Sequence, residues 1–288
     1  MKSDNLTRKL SVDSLKEKGN GNELRRSLGA FELMMLGVGV IIGSGLFVIT
    51  GVAAAEQVGP ALVLSFVLAG MACACAALCY GELASAIPAS GSSYTFVYVG
   101  LGEVFGWFIG WCITLEYVVA MSAIAVGWSA YATNILQLLN IDISADFVSD
   151  PFSGGIINIP AIFIVSLMAV LQLKGTKESA KLNNILVFVK LAVILIFIIL
   201  IAGHIDTDNY HPFMPFGWSG VFSGAAVVFF AFLGFDAIAN SAEEVKNPQR
   251  NMPIGIIGSL IIATVLYMIV TLMLTGTVKY FEYEGVAA

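Results

Sequence analysis

Seven apolar stretches, at 33–55, 60–83, 104–136, 156–173, 185–202, 221–242 and 253–277, meet or approach the roughly 20 residues that a helix needs to cross a bilayer core. No other feature restricts the fold as strongly. In lipid, every backbone amide and carbonyl must be satisfied within the chain, and for segments of this length the helix does that. With 58% hydrophobic residues, 12% charged residues and a mean hydropathy of +0.88, the chain carries more apolar surface than a water-soluble domain of 288 residues can bury. The expectation is an all-α integral membrane protein of about seven transmembrane helices.

Lysine and arginine set the expected orientation, because positively charged flanks stay on the cytoplasmic side. The N-terminal tail holds Lys2, Arg8, Lys9, Lys16, Lys18, Arg25 and Arg26. The fourth connection holds Lys174, Lys177 and Lys181, and the sixth holds Lys246 and Arg250. If seven helices alternate, all three segments fall on one side. The opposite connections carry Asp142, Asp146, Asp150, Asp206 and Asp208, with Lys279 beyond the last stretch. This predicts a cytoplasmic N-terminus and an outer C-terminus. Residues 1–27 read as a disordered cytosolic arm, polar and without the apolar core of a signal peptide; its basic residues are also placed to touch anionic lipid. The formal net charge of −6 is spread over loops and tails and reads as solvation. No nucleic-acid partner and no cofactor is expected.

Cys73, Cys75, Cys79 and Cys112 all lie inside apolar stretches, which argues against a disulfide framework. The two histidines, His204 and His211, sit in an outer connection, so the Cys73–Cys75–Cys79 cluster reads as polarizable packing rather than a metal site.

Glycine interrupts two stretches. In the first, Gly37, Gly39, Gly43 and Gly45 culminate in Ile41-Ile42-Gly43-Ser44-Gly45, where the backbone is free to unwind near mid-membrane. In the sixth, Phe229-Phe230-Ala231-Phe232-Leu233-Gly234-Phe235-Asp236 forms a weaker break at comparable depth. Small residues also serve close helix packing. Position favours function: the two interrupted stretches are five helices apart, so a repeat relating them has to be inverted. Paired discontinuous helices in inverted repeats are where transporters hold substrate. An unwound turn exposes amides at one half-helix start and carbonyls at the other half-helix end. A zwitterion fits both. Its carboxylate would accept from the amides of Gly43, Ser44 and Gly45, and its ammonium would donate to the carbonyls of Ile41, Phe230, Ala231 and Leu233.

The run from Gly37 to Phe47 resembles the first-helix signature of amino-acid permeases of the amino acid–polyamine–organocation superfamily. Gly81-Glu82-Leu83, with Pro88 and Gly91-Ser92-Ser93-Tyr94, is similar to the stretch after helix two. Glu243 to Pro253, reading Glu-Glu-Val-Lys-Asn-Pro-Gln-Arg-Asn-Met-Pro, resembles the junction of helices six and seven. Leu115-Glu116-Tyr117 and Val126-Gly127-Trp128 look most like the cationic amino acid transporter branch and its bacterial relatives. The resemblance runs from about Leu24 to the end. It implies a LeuT-like inverted-repeat fold with helices 1 and 6 discontinuous. The implied division is a tail at 1–27, a first five-helix repeat at 28–203, an extracellular connection at 204–216, and two helices of a truncated second repeat at 217–288. At least three helices of that fold are then absent, which leaves open a fragment of a longer chain that supplies them, a truncated gene product, or one part of a split carrier. The implied place is the plasma (inner) membrane.

Three charged residues lie deep within apolar stretches, Glu116, Lys190 and Asp236, and each is costly there. Lys190 is nine positions from Lys181, about 14 Å along a helix, beyond comfortable snorkelling from the cytoplasmic end. A buried amine can exchange its proton as its surroundings change, which would make it a proton relay; a structural pairing with a carboxylate is the alternative. In proton-coupled bacterial members of the superfamily a fifth-helix lysine occupies the place of sodium, and Lys190 matches that position. Glu116 either faces the pocket or satisfies a neighbouring helix. Asp236 either orients the inner half-helix or lines the inner route. Glu243 and Glu244 sit at the cytoplasmic mouth, as a gate or as a solvated helix end.

The reading is therefore proton-coupled uptake of an amino acid, small and neutral because the pocket is backbone and apolar, with cationic amino acids as the alternative substrate. A seven-helix receptor binding retinal conflicts with the N-terminal orientation and with a lysine outside the last helix; a non-transporting fragment or scaffold stays open. A membrane hydrolase lacks a His-Glu-x-x-His or Gly-x-Ser-x-Gly motif, and Ser44 has no histidine partner in any stretch.

Overall fold

The computed structural model describes residues 28–283 except Ser44, Pro88, Asp142 and residues 152–153 and 174–175, together with Lys9 and Arg26; over 176–184 the backbone alone is described. The arm expected over 1–27 lies outside the described residues apart from Lys9 and Arg26, as do the side chains of Lys174, Lys177 and Lys181. Among the described residues the chain is helical, with an isolated β-type bridge between Leu28 and Val245.

The helices are α1 (Ala30–Ile41), α2 (Leu62–Ala86), α3 (Ser92–Gly100), α4 (Glu103–Leu138), α5 (Ile159–Leu173), α6 (Thr176–Ile201), α7 (Gly217–Val228) and α8 (Pro248–Thr277). Five helical runs are long and apolar enough to cross a membrane: Gly45–Ala86, Glu103–Leu138, Ile185–His204, Gly217–Glu244 and Pro248–Thr277. Helices α1 and α5 are apolar but shorter. The first apolar stretch is divided for a physical reason. Helix α1 stops at Ile41, and the helix that resumes at Gly45 runs through widened π-type turns at Gly45–Ile49 and Ala54–Val58 towards the bend at Gly59 and into α2. This is an integral, multi-pass membrane chain.

Helix α8 is central. It packs against α1 and α2, while α7 packs on α2. Leu33, Phe66, Phe232, Met252, Ile256 and Tyr267 are fully buried between these elements. Insertion into lipid already satisfies apolar side chains, so close packing and interhelical hydrogen bonds must hold such helices together. The approach of α1 to α8 depends on absent side chains: a Cβ on Gly255 would lie 2.4 Å from Leu33, and one on Gly37 would lie 2.5 Å from Ser259.

Helix α4 is different. It packs against α3 and α5, yet Trp107, Trp111, Leu115 and Val119 are exposed, as expected of a helix apolar on all sides that meets lipid or further helices. Asn158 joins it to α5. The Asn158 side-chain oxygen accepts from the Ala161 amide at 3.0 Å, capping the start of α5, and from Ser129 Oγ of α4 at 2.6 Å. Of the four cysteines, Cys73 is buried in the α2 core and Cys75, Cys79 and Cys112 are exposed on helix surfaces.

Candidate functional site at the two helix breaks

Both expected interruptions are present, and the second is as pronounced as the first. At the first, α1 ends on Ile41 and Ile42 turns to an extended conformation (φ −73°, ψ 103°). The Ile42 amide still donates to the Val38 carbonyl at 3.1 Å, and the helix restarts where the Leu46 amide donates to the Gly43 carbonyl at 3.1 Å. At the second, α7 ends at Val228 and passes through a tight turn, Phe229–Phe232. Leu233 is then extended, Gly234 takes φ +102°, and a narrow 3-10 segment, Asp236–Glu244, continues. A side chain at Gly234 would be strained, which is why glycine stands there.

The two breaks touch. A Cβ placed on Gly45 would lie 2.2 Å from Ala231 Cα, so the backbones meet where a side chain would forbid it. Gly43, by contrast, borders open space: a Cβ there would meet no heavy atom within 4 Å. Ser44, expected to offer an amide to a carboxylate, lies outside the described residues.

The carbonyls freed by the breaks have acquired partners that the sequence does not reveal. The Phe230 carbonyl accepts from the Leu233 amide at 3.2 Å within its own turn. Those of Ile41 and Ala231, both expected with Phe230 and Leu233 to receive a ligand's ammonium, face Tyr267 of α8, whose hydroxyl stands 2.8 Å from Ile41 O and 2.7 Å from Ala231 O. Tyr267 is fully buried, with its ring packed against Phe66 and Phe232. A sequence signal existed: it is the lone tyrosine of the apolar stretch 253–277, and a phenol at that depth needs a hydrogen-bond partner.

Lys190 reaches the same break from α6. Its Nζ donates to the carbonyls of Gly39 and, at 2.7 Å, of Ile42. The last carbonyls of α1 have no intrahelical acceptor role to play, so an ammonium beside them satisfies both partners and suits the negative end of the helix. Tyr131 of α4, a further residue the sequence did not single out, donates its hydroxyl to the Phe47 carbonyl on the other side of the break.

The remaining candidates divide. Glu116 is exposed on α4. Asp236 begins the inner segment and, with Ser92, Tyr94, Tyr117 and Asn240, lines a cavity of about 290 Å³. Glu243 belongs to a ladder of three bonds between this segment and the α2–α3 turn. Ser92 Oγ donates to Asp236 O at 3.1 Å, the Gly91 amide to Asn240 Oδ1 at 3.0 Å, and the Ser90 amide to Glu243 Oε1 at 2.7 Å. Positions 240 and 243, three apart, eclipse in this 3-10 segment, so the successive turn residues Gly91 and Ser90 meet successive rungs. Glu244 participates through its backbone: its carbonyl accepts from the Leu28 amide at 3.0 Å, and Leu28 O accepts from Lys246 at 2.8 Å. The structure thus gathers Ile41, Gly43, Gly45, Ala231 and Lys190 at the breaks, and sets Glu243 and Glu244 at the far end of the inner segment.

The amino acid permease family model matches residues 28–280, which include both breaks and the ladder. The chain belongs to the amino acid permease family. It is 50% identical over 277 residues to the methylthioribose transporter of Bacillus subtilis (strain 168), covering 96% of this chain and 60% of that protein. The branched-chain amino acid permease BcaP of the same organism is 46% identical over 284 residues, covering 97% and 61%. Cationic amino acid transporter 4, vacuolar, of Arabidopsis thaliana is 37% identical over 287 residues, covering 96% and 48%. The chain therefore spans about three fifths of the length of the two bacterial relatives. In this family member the three motifs occupy the first break, the α2–α3 turn and the entry to α8.

Proposed function

We propose that this chain is the substrate-binding front part of a secondary transporter, one that takes up small neutral amino acids across the plasma membrane in symport with protons. The N-terminus is cytoplasmic, and the helices form a LeuT-like inverted-repeat fold in which 28–203 is the first repeat, 204–216 an extracellular connection, and 217–288 the start of the second. Further helices of a longer chain complete it. Contact between the two breaks at Gly45 and Ala231 carries this reading, because it joins at one place two sets of backbone groups released from helical pairing.

Each residue then has a defined task. The open side of Gly43, with the neighbouring amides of Ser44 and Gly45, receives the substrate carboxylate. Ala231 and Ile41, whose carbonyls keep a second lone pair beyond the one Tyr267 uses, receive the ammonium, with Phe230 and Leu233 shaping the turn. Lys190 holds the end of α1 while protonated. Loss of its proton weakens those bonds from charge-assisted to neutral and releases the first break, which links proton movement to alternating access. Asp236 borders the inner route, and Glu243 and Asn240 close it against the α2–α3 turn. Exposure of Glu116 supports a role at a surface that added helices would cover.

The test is uptake of labelled alanine and valine into proteoliposomes, with and without an inward pH gradient. Two proteins are compared: the 288-residue chain and a chimera extended by the C-terminal two fifths of the Bacillus methylthioribose transporter. Gradient-stimulated uptake by the chimera supports the proposal; a folded chimera that carries neither amino acid overturns it. A second substrate reading, a thioether sugar, is favoured by the 50% identity to the protein named for methylthioribose. Labelled methylthioribose in the same vesicles separates the two, and labelled arginine tests the cationic alternative.

A further inference from the structure

Tyr267 combines three properties. Its side chain is fully buried in α8, 36 positions from Ala231 of the second break and 226 from Ile41 of the first. Its ring is fixed on both sides, by Phe66 of α2 at 5.2 Å and Phe232 of the second break at 5.3 Å between centroids. And its hydroxyl has one proton but two carbonyl partners, Ile41 at 2.8 Å and Ala231 at 2.7 Å, one from each break. At any instant the phenol donates to one carbonyl, while the other stays an acceptor in need of a proton. Both distances are those of good O–H···O bonds, so the proton can pass from one partner to the other by rotation about the C–O bond, without movement of either backbone.

We propose that Tyr267 is the positioning residue that ties the two breaks together and holds an unfilled acceptor between them. Because the ring cannot shift against Phe66 and Phe232, the hydroxyl fixes where the Ile41 and Ala231 carbonyls stand. An incoming donor, the ammonium of an amino acid or the hydroxyl of a sugar, finds that acceptor pair already arranged and need not order it. The same hydroxyl restrains both breaks, since a break that moves away loses a donor that the fixed ring cannot carry after it. The uptake readout rests on the transporter reading above; the tie between the breaks does not.

Hydrogen–deuterium exchange on the full 288-residue chain in lipid nanodiscs, without substrate, tests the tie. Tyr267→Phe removes the hydroxyl and keeps the ring. The expected result is exchange about tenfold faster at both breaks, over 41–46 and over 231–236, with the rest of α8 unchanged. Acceleration at one break alone, or at neither, overturns the proposal. If Tyr267→Phe does not fold, 3-fluorotyrosine at 267 keeps the shape and strengthens the donor; slower exchange at both breaks is expected, and unchanged exchange overturns it. In the extended chimera, Tyr267→Phe is expected to raise KM about tenfold while the maximal rate per folded protein stays within twofold. A merely structural tyrosine would lower the folded yield and leave KM unaltered. Absent uptake by the unmutated chimera counts against the transporter reading, and exchange then decides on Tyr267 alone.

Discussion

Lys190 donates from its Nζ to the Ile42 carbonyl 2.7 Å away, at the residue where α1 has just ended, so a side chain from α6 replaces the helix's own next turn. A lysine bonded this way senses the first break directly. Lys190→Ala is expected to reduce pH-gradient-driven uptake by the extended protein at least tenfold, while exchange of labelled for unlabelled substrate across the membrane continues. Counterflow and gradient-driven uptake measured in one proteoliposome preparation check this; undiminished gradient-driven uptake would leave Lys190 a structural cap.

Gly43 and Gly45 stand two positions apart and predict opposite outcomes. A methyl group at Gly45 collides with Ala231 backbone, so Gly45→Ala should destabilise the fold by about 3 kcal/mol, the upper end of ordinary overpacking. A methyl group at Gly43 enters open space, so Gly43→Ala should fold normally, and Gly43→Val should fold yet lose substrate affinity. Melting of both proteins in nanodiscs, followed by ligand titration, separates them; equal loss of stability would contradict the assignment.

The ladder from 236 to 243 predicts a local effect. Asn240→Ala removes the acceptor for the Gly91 amide and is expected to cost about 1 kcal/mol. Amide exchange over 89–92 should accelerate several-fold, whereas Glu243→Gln, which retains an acceptor for Ser90, should do less. Identical exchange in all three proteins would show that the turn is held by other contacts.

Asn158 supplies a prediction independent of transport. Its side chain caps α5 and accepts from Ser129, so Asn158→Ala should cost about 1–2 kcal/mol, while Asn158→Asp, which keeps the acceptor, should recover most of it. Thermal melting monitored by circular dichroism reads both.

The places where the helices break were legible because glycine acts locally. Gly43, Gly45 and Gly234 reveal themselves within a few residues of sequence, and both interruptions occur where those residues stand. Lys190 was legible for a similar reason, since a lysine deep in an apolar run is conspicuous wherever it points. What each glycine does was not legible. Gly43 borders space and Gly45 closes a contact, a difference created by Ala231, which is 186 positions beyond Gly45 and reaches it only once α7 has packed.

By itself, then, the sequence determined that this chain enters a membrane, where its helices are interrupted, and which ionisable groups fall deep within its apolar stretches. These follow from hydropathy and backbone freedom, which are properties of short segments. The tertiary structure alone decided which groups fill the broken ends. Lys190 meets Ile42 across 148 positions and Tyr267 meets Ile41 across 226. A freed carbonyl takes whatever donor the packed helices bring within hydrogen-bond reach, and no local pattern records that distance.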